Sequence, residues 1–152
     1  MEWLKGWAGA IVWRFCKGRL EVLVIDSKSV DSRYSKKPTQ TKFPGGGRKK
    51  RKKERTPVLT MRRELWEETG LRLKPAVVPE EIHVVVENFP MFFYLIKEED
   101  LEGKIRMHEI LDGTDRLSSP YWISDEEAIK KVFRTHQMAL LKALQHLGLM
   151  RK

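Results

Sequence analysis

Cysteine is all but missing from this chain. Cys16 stands alone in 152 residues, so no internal disulfide can staple the fold, and a lone thiol in an apolar run is expected as a buried strand residue rather than a nucleophile. No apolar run approaches the roughly 20 residues that a membrane-crossing helix needs. The opening MEWLKGWAGAIVWRF carries a lysine and an apolar stretch, but Arg14 interrupts it and no small-residue cleavage site follows, so a soluble cytoplasmic protein with no membrane attachment is expected. The four histidines lack H-x3-H spacing, which removes the simplest zinc arrangement, and His136 and His146 are expected on a helix surface. Neither an internal repeat nor a linker-like stretch divides the chain. One domain over residues 1–152 follows, and its 41% hydrophobic content is enough for a sizeable core.

Positive charge is plentiful, and its placement matters more than its size. The octet RKKRKKER, residues 48 to 55, holds seven bases and one acid and so supplies +6 of the net +9. Three readings stand open for it: a solvated loop, an electrostatic funnel for polyanions such as nucleotides with several phosphates or RNA 5′ ends, and a targeting or nucleic-acid tether. In the funnel reading Arg48, Lys49 and Arg51 contact substrate phosphates. The octet lacks the aromatic motif of RNA-binding modules, which excludes base readout but leaves RNA as a partner through its phosphates.

The most informative stretch runs from Phe43 to Leu71, FPGGGRKKRKKERTPVLTMRRELWEETGL. A glycine turn precedes a segment in which Thr56 can cap the first helical turn, Pro57 suits the first helical position, and Gly70 stands where a left-handed residue closes a helix. Val58, Met61 and Leu65 form an apolar stripe that could lie on a sheet. Glu64, Glu67 and Glu68, at i, i+3 and i+4, project from one side of the helix, away from that stripe and toward solvent or a cleft. Carboxylates that close repel one another, and a hard divalent cation such as Mg²⁺, with substrate phosphates completing its shell, would remove the penalty. A metal-dependent phosphate site is expected.

Arg63-Glu64-Leu65-Trp66-Glu67-Glu68-Thr69-Gly70-Leu71 resembles the second half of the Nudix box, G-x5-E-x7-R-E-U-x-E-E-x-G-U with U aliphatic, at every position. Pro44-Gly45-Gly46-Gly47 resembles the turn before it. The first half departs from the pattern: eight residues before Arg63 stands Arg55 where the family has glutamate, Glu54 lies one residue earlier, and the loop after Gly47 is about two residues longer. The resemblance implies an α/β fold, a Nudix-like α/β/α sandwich with a mixed sheet between helices. It also implies hydrolysis of a phosphoanhydride in a nucleoside diphosphate linked to another group, with Mg²⁺ or Mn²⁺ as cofactor. Nucleoside triphosphates, dinucleoside polyphosphates, nucleotide sugars and RNA 5′ ends all fit as substrates. The metal ligands implied are Glu64, Glu67, Glu68 and the carbonyl of Gly47, with Gly46 as an alternative. Arg63 orients a box glutamate, and its acidic partner is displaced to Glu54 or missing. Family relatives are often dimers, which implies a homodimer. A plain helix ion pair is the competing reading of Arg63. For the whole protein the alternatives are a Nudix-fold nucleotide- or RNA-binding module without turnover, motivated by Arg55, and a basic nucleic-acid-associating protein.

The remaining elements are expected in an α/β order. Trp7 to Phe15 and Leu20 to Asp26 read as strands around a Lys17-Gly18-Arg19 turn, and Ser27 to Gln40 reads as a long loop. Thr41 to Phe43 and Leu71 to Val78 read as strands, and Glu81 to Val86 with Met91 to Ile96 as a hairpin around Asn88-Phe89-Pro90. Lys104 to Leu111 and Tyr121 to Ile123 are further strand candidates. Ser124 with Glu127 has capping-box spacing before a short helix to Lys131, and His136 to Leu147 forms a longer helix with Met138, Leu141, Leu144 and Leu147 inward. A general base is expected either from a box glutamate, with Glu64 and Glu67 as catalytic candidates, or from a later loop, where Glu87, Glu109, Asp112 and Asp115 are candidates and Glu109 is favoured because it precedes a loop that could reach the cleft. Trp3, Trp7, Tyr34 or Phe89 could stack on a base, against the plainer reading of aromatic core.

Overall fold

The computed structural model describes residues 3, 5–31, 33, 37–49 and 53–148. Two long strands, β1 (Trp7–Cys16) and β2 (Arg19–Ser29), form a hairpin across a tight turn at Lys17-Gly18. Short strands follow at β3 (Gln40–Lys42) and β4 (Gly45–Gly47), then helix α1 (Pro57–Thr69) and strand β5 (Leu71–Leu73). A second hairpin, β6 (Glu80–Val86) and β7 (Phe89–Lys97), turns at Glu87-Asn88, one residue earlier than expected. Strands β8 (Leu101–Gly103), β9 (Ile110–Asp112), β10 (Asp115–Leu117) and β11 (Tyr121–Ser124) lead to helices α2 (Asp125–Lys131) and α3 (Arg134–His146).

The main sheet runs β6-β7-β1-β2-β10-β9, with β4 added beside β1 and both β3 and β11 beside β2. The β1–β7 pair is parallel and the other pairs in the sheet are antiparallel, so the sheet is mixed. Alternation along β1 divides the core into two layers. Ala8, Ala10 and Val12 face α1, packing with Met61 and Leu65, while Ile11 faces α3 with Phe43, Phe93, Leu140 and Leu144. Two alanines on the α1 side let that helix lie close to the strand. This is the α/β/α sandwich with a mixed sheet between helices.

Helix α1 begins at Pro57 and closes at Gly70, whose φ of 81° and crowding by the Lys104 carbonyl leave no room for a side chain. Thr56 occupies the N-cap without a side-chain bond; its carbonyl, not its hydroxyl, engages the first turn through Leu59 and Thr60 N–H. Ser124 does cap α2, accepting from Glu127 N at 3.1 Å. The expected strand over 104–111 is reduced to β9, because Arg106 turns inward to bind other backbone groups.

Helix α3 differs most from its sequence pattern. His136, Ala139, Leu140, Ala143 and Leu144 are its buried residues, whereas Met138 and Leu141 are more than a third exposed. The inward face is therefore rotated from the expected one, and His136, expected at the surface, is wholly buried. Its ring stacks on Phe43 at 5.6 Å and touches Trp7, Phe93 and Phe133. The Phe43 amide donates to its Nδ1 at 2.9 Å, which satisfies one ring nitrogen at this depth, while Nε2 is buried with no hydrogen-bond partner among the described residues. No described helix is long and apolar enough to cross a membrane.

Candidate active site

Pairing of β4 with β1, Ala8 opposite Gly46, lays the glycine turn along the side of α1. A Cβ on Gly46 would lie 2.4 Å from Oε1 of Glu64, so only glycine lets the backbone rest on that carboxylate. Glu64 and Glu68 are 5% and 1% exposed, enclosed rather than solvated. With the exposed Asp112 at the end of β9 they form a cluster whose candidate ligand atoms all lie within 4.8 Å of one another. It is the one such cluster of three or more His, Cys, Asp or Glu side chains among the described residues.

One side of this cluster is braced by Arg63. Its Nε donates to Glu54 Oε2 at 2.5 Å and its Nη2 to Glu54 Oε1 at 3.2 Å, a two-pronged pair. The same guanidinium reaches Glu64 at 2.7 Å, Glu67 at 3.1 Å and the Gly47 carbonyl at 2.8 Å. Glu54 also accepts from Thr60 Oγ1 and the Lys49 amide. Burial alone would raise the Glu54 pKa, but the Arg63, Lys49 and Thr60 bonds outweigh it and hold the carboxyl below its usual range. Burial likewise opposes the Arg63 charge, and bonding to Glu54 and Glu64 overrides it, raising the guanidinium pKa. The acid displaced by one residue in sequence is thus on its arginine. Lys53, with φ at 50°, makes the turn that brings it there.

The opposite side is held by Lys42. From β3 its Nζ donates to the Gly45 carbonyl at 3.0 Å and to Glu68 Oε2 at 3.2 Å, while Gly45 N donates to Glu68 Oε1 at 2.8 Å. Even so, burial pushes Glu68 up to about 7, with Lys42 offsetting and Glu64 adding to the shift. Burial also raises Glu64, against the pull of Arg63. Arg106 clamps the end of the helix, donating from Nη2 to the Glu68 carbonyl at 2.7 Å and to the Ser118 carbonyl at 2.8 Å.

Of the expected ligands, Glu64 and Glu68 come together. Glu67 is not in the close cluster and is engaged by Arg63, and the Gly47 carbonyl also accepts from Arg63. Glu109 is exposed and pairs with Arg116 at 3.8 Å; the acid brought to Glu64 and Glu68 is Asp112, three residues on. Arg48 turns onto the Glu54 carbonyl at 2.8 Å, Lys49 is exposed, and Arg51 and Tyr34 lie outside the described residues. Trp3 and Trp7 are packing residues of the two cores. Lys42 and Arg106 were not singled out in the sequence. A signal for Lys42 existed: strand alternation puts it opposite Phe43, which faces α3, and so on the α1 side.

Residues 6–145 match the NUDIX domain family model, which covers most of the chain. The fold and site therefore define a class, and the chain belongs to the NUDIX domain family as a Nudix-type hydrolase. Among solved structures it is similar to the MutT NUDIX hydrolase from Burkholderia pseudomallei, with 18% identity, TM-score 0.61, and coverage of 90% of this chain and 95% of that one. It is also similar to the Ap4A hydrolase of C. elegans, with 16% identity, TM-score 0.56, and coverage of 96% and 99%. A third is the NUDIX domain of Shewanella oneidensis NrtR complexed with ADP ribose, with 14% identity, TM-score 0.66, and coverage of 93% and 86%. At these identities the structural likeness speaks to fold alone. No curated protein matches the chain.

Proposed function

We propose that this protein hydrolyses a phosphoanhydride bond in a nucleoside diphosphate linked to a further group, using Mg²⁺ or Mn²⁺. The observation that carries the reading is the meeting of Glu64, Glu68 and Asp112 within 4.8 Å, beside a glycine that has no side chain to fill the space. The donor set fits such an ion: Lys42 serves Glu68, Arg63 is shared among Glu54, Glu64 and Glu67, and with Asp112 the acids still outnumber these two cations, a surplus that hard oxygen-seeking cations satisfy. When bound, the ion would neutralise phosphate charge and lower the pKa of a ligated water.

The chain's own residues supply the rest. Glu64, Glu68 and Asp112 hold the cation, and Arg63, fixed by Glu54, keeps Glu64 and Glu67 in place. Glu67, on the same helix face, is assigned as acceptor of the proton from the attacking water, in preference to the outlying Glu109. Lys49 and Arg51 draw the anionic substrate toward the turn through long-range attraction, with Arg48 holding the loop that carries them. A module without turnover is motivated by Arg55 at the box acid's place and by the lengthened loop, and Glu54 on Arg63 weighs against the first of these.

The test is a panel of nucleoside triphosphates, dinucleoside polyphosphates, ADP-ribose and nucleotide sugars incubated with the protein and Mg²⁺ or Mn²⁺, with products resolved chromatographically. Turnover that is abolished by chelation and by Glu64→Gln is expected. Metal-independent turnover, or none on any member of the panel, rejects the reading.

A further inference from the structure

The one-residue displacement of Glu54 has an outward counterpart. With Glu54 turned in to Arg63, the extra residue, Arg55, lines a cavity of ≈ 440 Å³ on the α1 side of the sheet. Lys5 contributes a second cation from the segment before β1, and both residues are exposed. The wall is aromatic: Phe92 stacks on His83 with centroids 4.4 Å apart and planes 7° from parallel, and meets Trp3 edge-on at 5.3 Å. Glu81 is the acid in the lining, and its carboxylate accepts from Tyr94 Oη at 2.9 Å, so two cations stand against one committed acid.

Flat rings beside positive charge that has no ion-pair partner among the described residues suit a planar ligand that carries an anionic group, and the volume falls within the roughly 300–1,000 Å³ usual for small-molecule pockets. The carboxylate cluster is not part of this lining. It is nevertheless connected to it, since Trp3 Nε1 donates to Thr60 Oγ1 at 3.0 Å and Thr60 Oγ1 donates to Glu54 Oε1 at 2.9 Å, on the carboxylate that fixes Arg63.

We propose that this cavity is a second binding site, for a nucleoside monophosphate moiety, with the base against Phe92 and His83 and the phosphate between Lys5 and Arg55. The moiety is either the far end of a long substrate or a separate molecule whose binding reaches Arg63 through Trp3, Thr60 and Glu54. Binding here needs no divalent cation and no turnover, so it stands apart from the hydrolytic assignment.

Calorimetric titration of the full chain with AMP in excess chelator tests it. Saturable binding is expected, at least tenfold weaker in the Lys5→Glu/Arg55→Glu double variant and in His83→Ala, and unchanged in Glu68→Gln. Ribose 5-phosphate and adenosine are each expected to bind at least tenfold more weakly than AMP. Thermal melting of the variants checks that they fold, which their exposed positions favour. Once turnover of a substrate is established, AMP raising KM alone identifies the substrate's far end, and AMP changing kcat identifies a separate effector. No binding in chelator, binding unaltered by the Lys5/Arg55 variant, or ribose 5-phosphate binding as well as AMP overturns the proposal.

Discussion

Glu54, just before α1, and Glu68, within it, are both buried acids, and their surroundings are opposites. Glu54 meets a two-pronged guanidinium, a hydroxyl and an amide, and its pKa falls. Glu68 meets one ammonium and one amide under heavier burial, and rises to about 7. A carboxylate whose partners exceed its desolvation cost acts as a strut. One left short of partners stores an unmet demand for positive charge, and that demand is what a binding site consists of. The contrast also explains the uneven sequence of the box. Its loop tolerates extra residues as long as an acid arrives on Arg63, whereas the helix cannot change spacing without scattering Glu64 and Glu68.

The sharpest way to break this comparison is Glu68→Gln. Hydrolysis is expected to fall by at least about 100-fold, with the melting temperature of the metal-free protein unchanged or higher, since an under-compensated charge is removed. A simultaneous large loss of stability would make Glu68 a strut as well. Glu54→Gln is expected to behave the other way, costing about 2–4 kcal/mol in denaturant unfolding, because Arg63 is left buried without its main partner. A stability equal to wild type would remove Glu54 from that role.

His136 extends the comparison to a buried base. Burial, and then the nearby Lys42, hold its pKa well below 6.5, so the folded protein keeps the ring neutral while the unfolded chain takes up a proton below that pH. The unfolded state then binds more protons. Its contribution to stability is complete above pH 6.5 and is lost as pH falls, by up to about 1.4 kcal/mol per unit. Unfolding free energies from pH 7 to 5 should show this slope, and His136→Gln should flatten it. The smallest effect is expected from neutralising Lys49 to Lys53 together. Stability should move by no more than about 0.5 kcal/mol, while the salt dependence of KM for a triphosphate becomes shallower; an unchanged salt dependence would leave the octet as a solvated loop.

What could be read in advance follows a physical divide. Pro57, Gly70 and the stripe through Met61 and Leu65 announce α1 because helix ends and helix faces are local properties, and the paired strands around Lys17-Gly18 are equally local. Glu54 was ambiguous because its role depends on a left-handed turn at Lys53, which no composition rule requires. Asp112 was one of four acids, and the register of the β9–β10 hairpin, rather than any motif, separates it from Glu109. A surface histidine and a buried one have the same helical spacing, so the pattern alone does not reveal that His136 is buried. The Phe43 amide that satisfies its Nδ1 comes from 93 residues away.

Lys42 carries a last consequence. An ammonium tethered between Gly45 and Glu68 keeps the glycine turn and the helix joined, and on the proposed metal-dependent reading it is a placeholder counterion. Assembly of the domain and arming of its chemistry become separate events. Chelation should silence the protein while its fold, followed by circular dichroism, stays as it was.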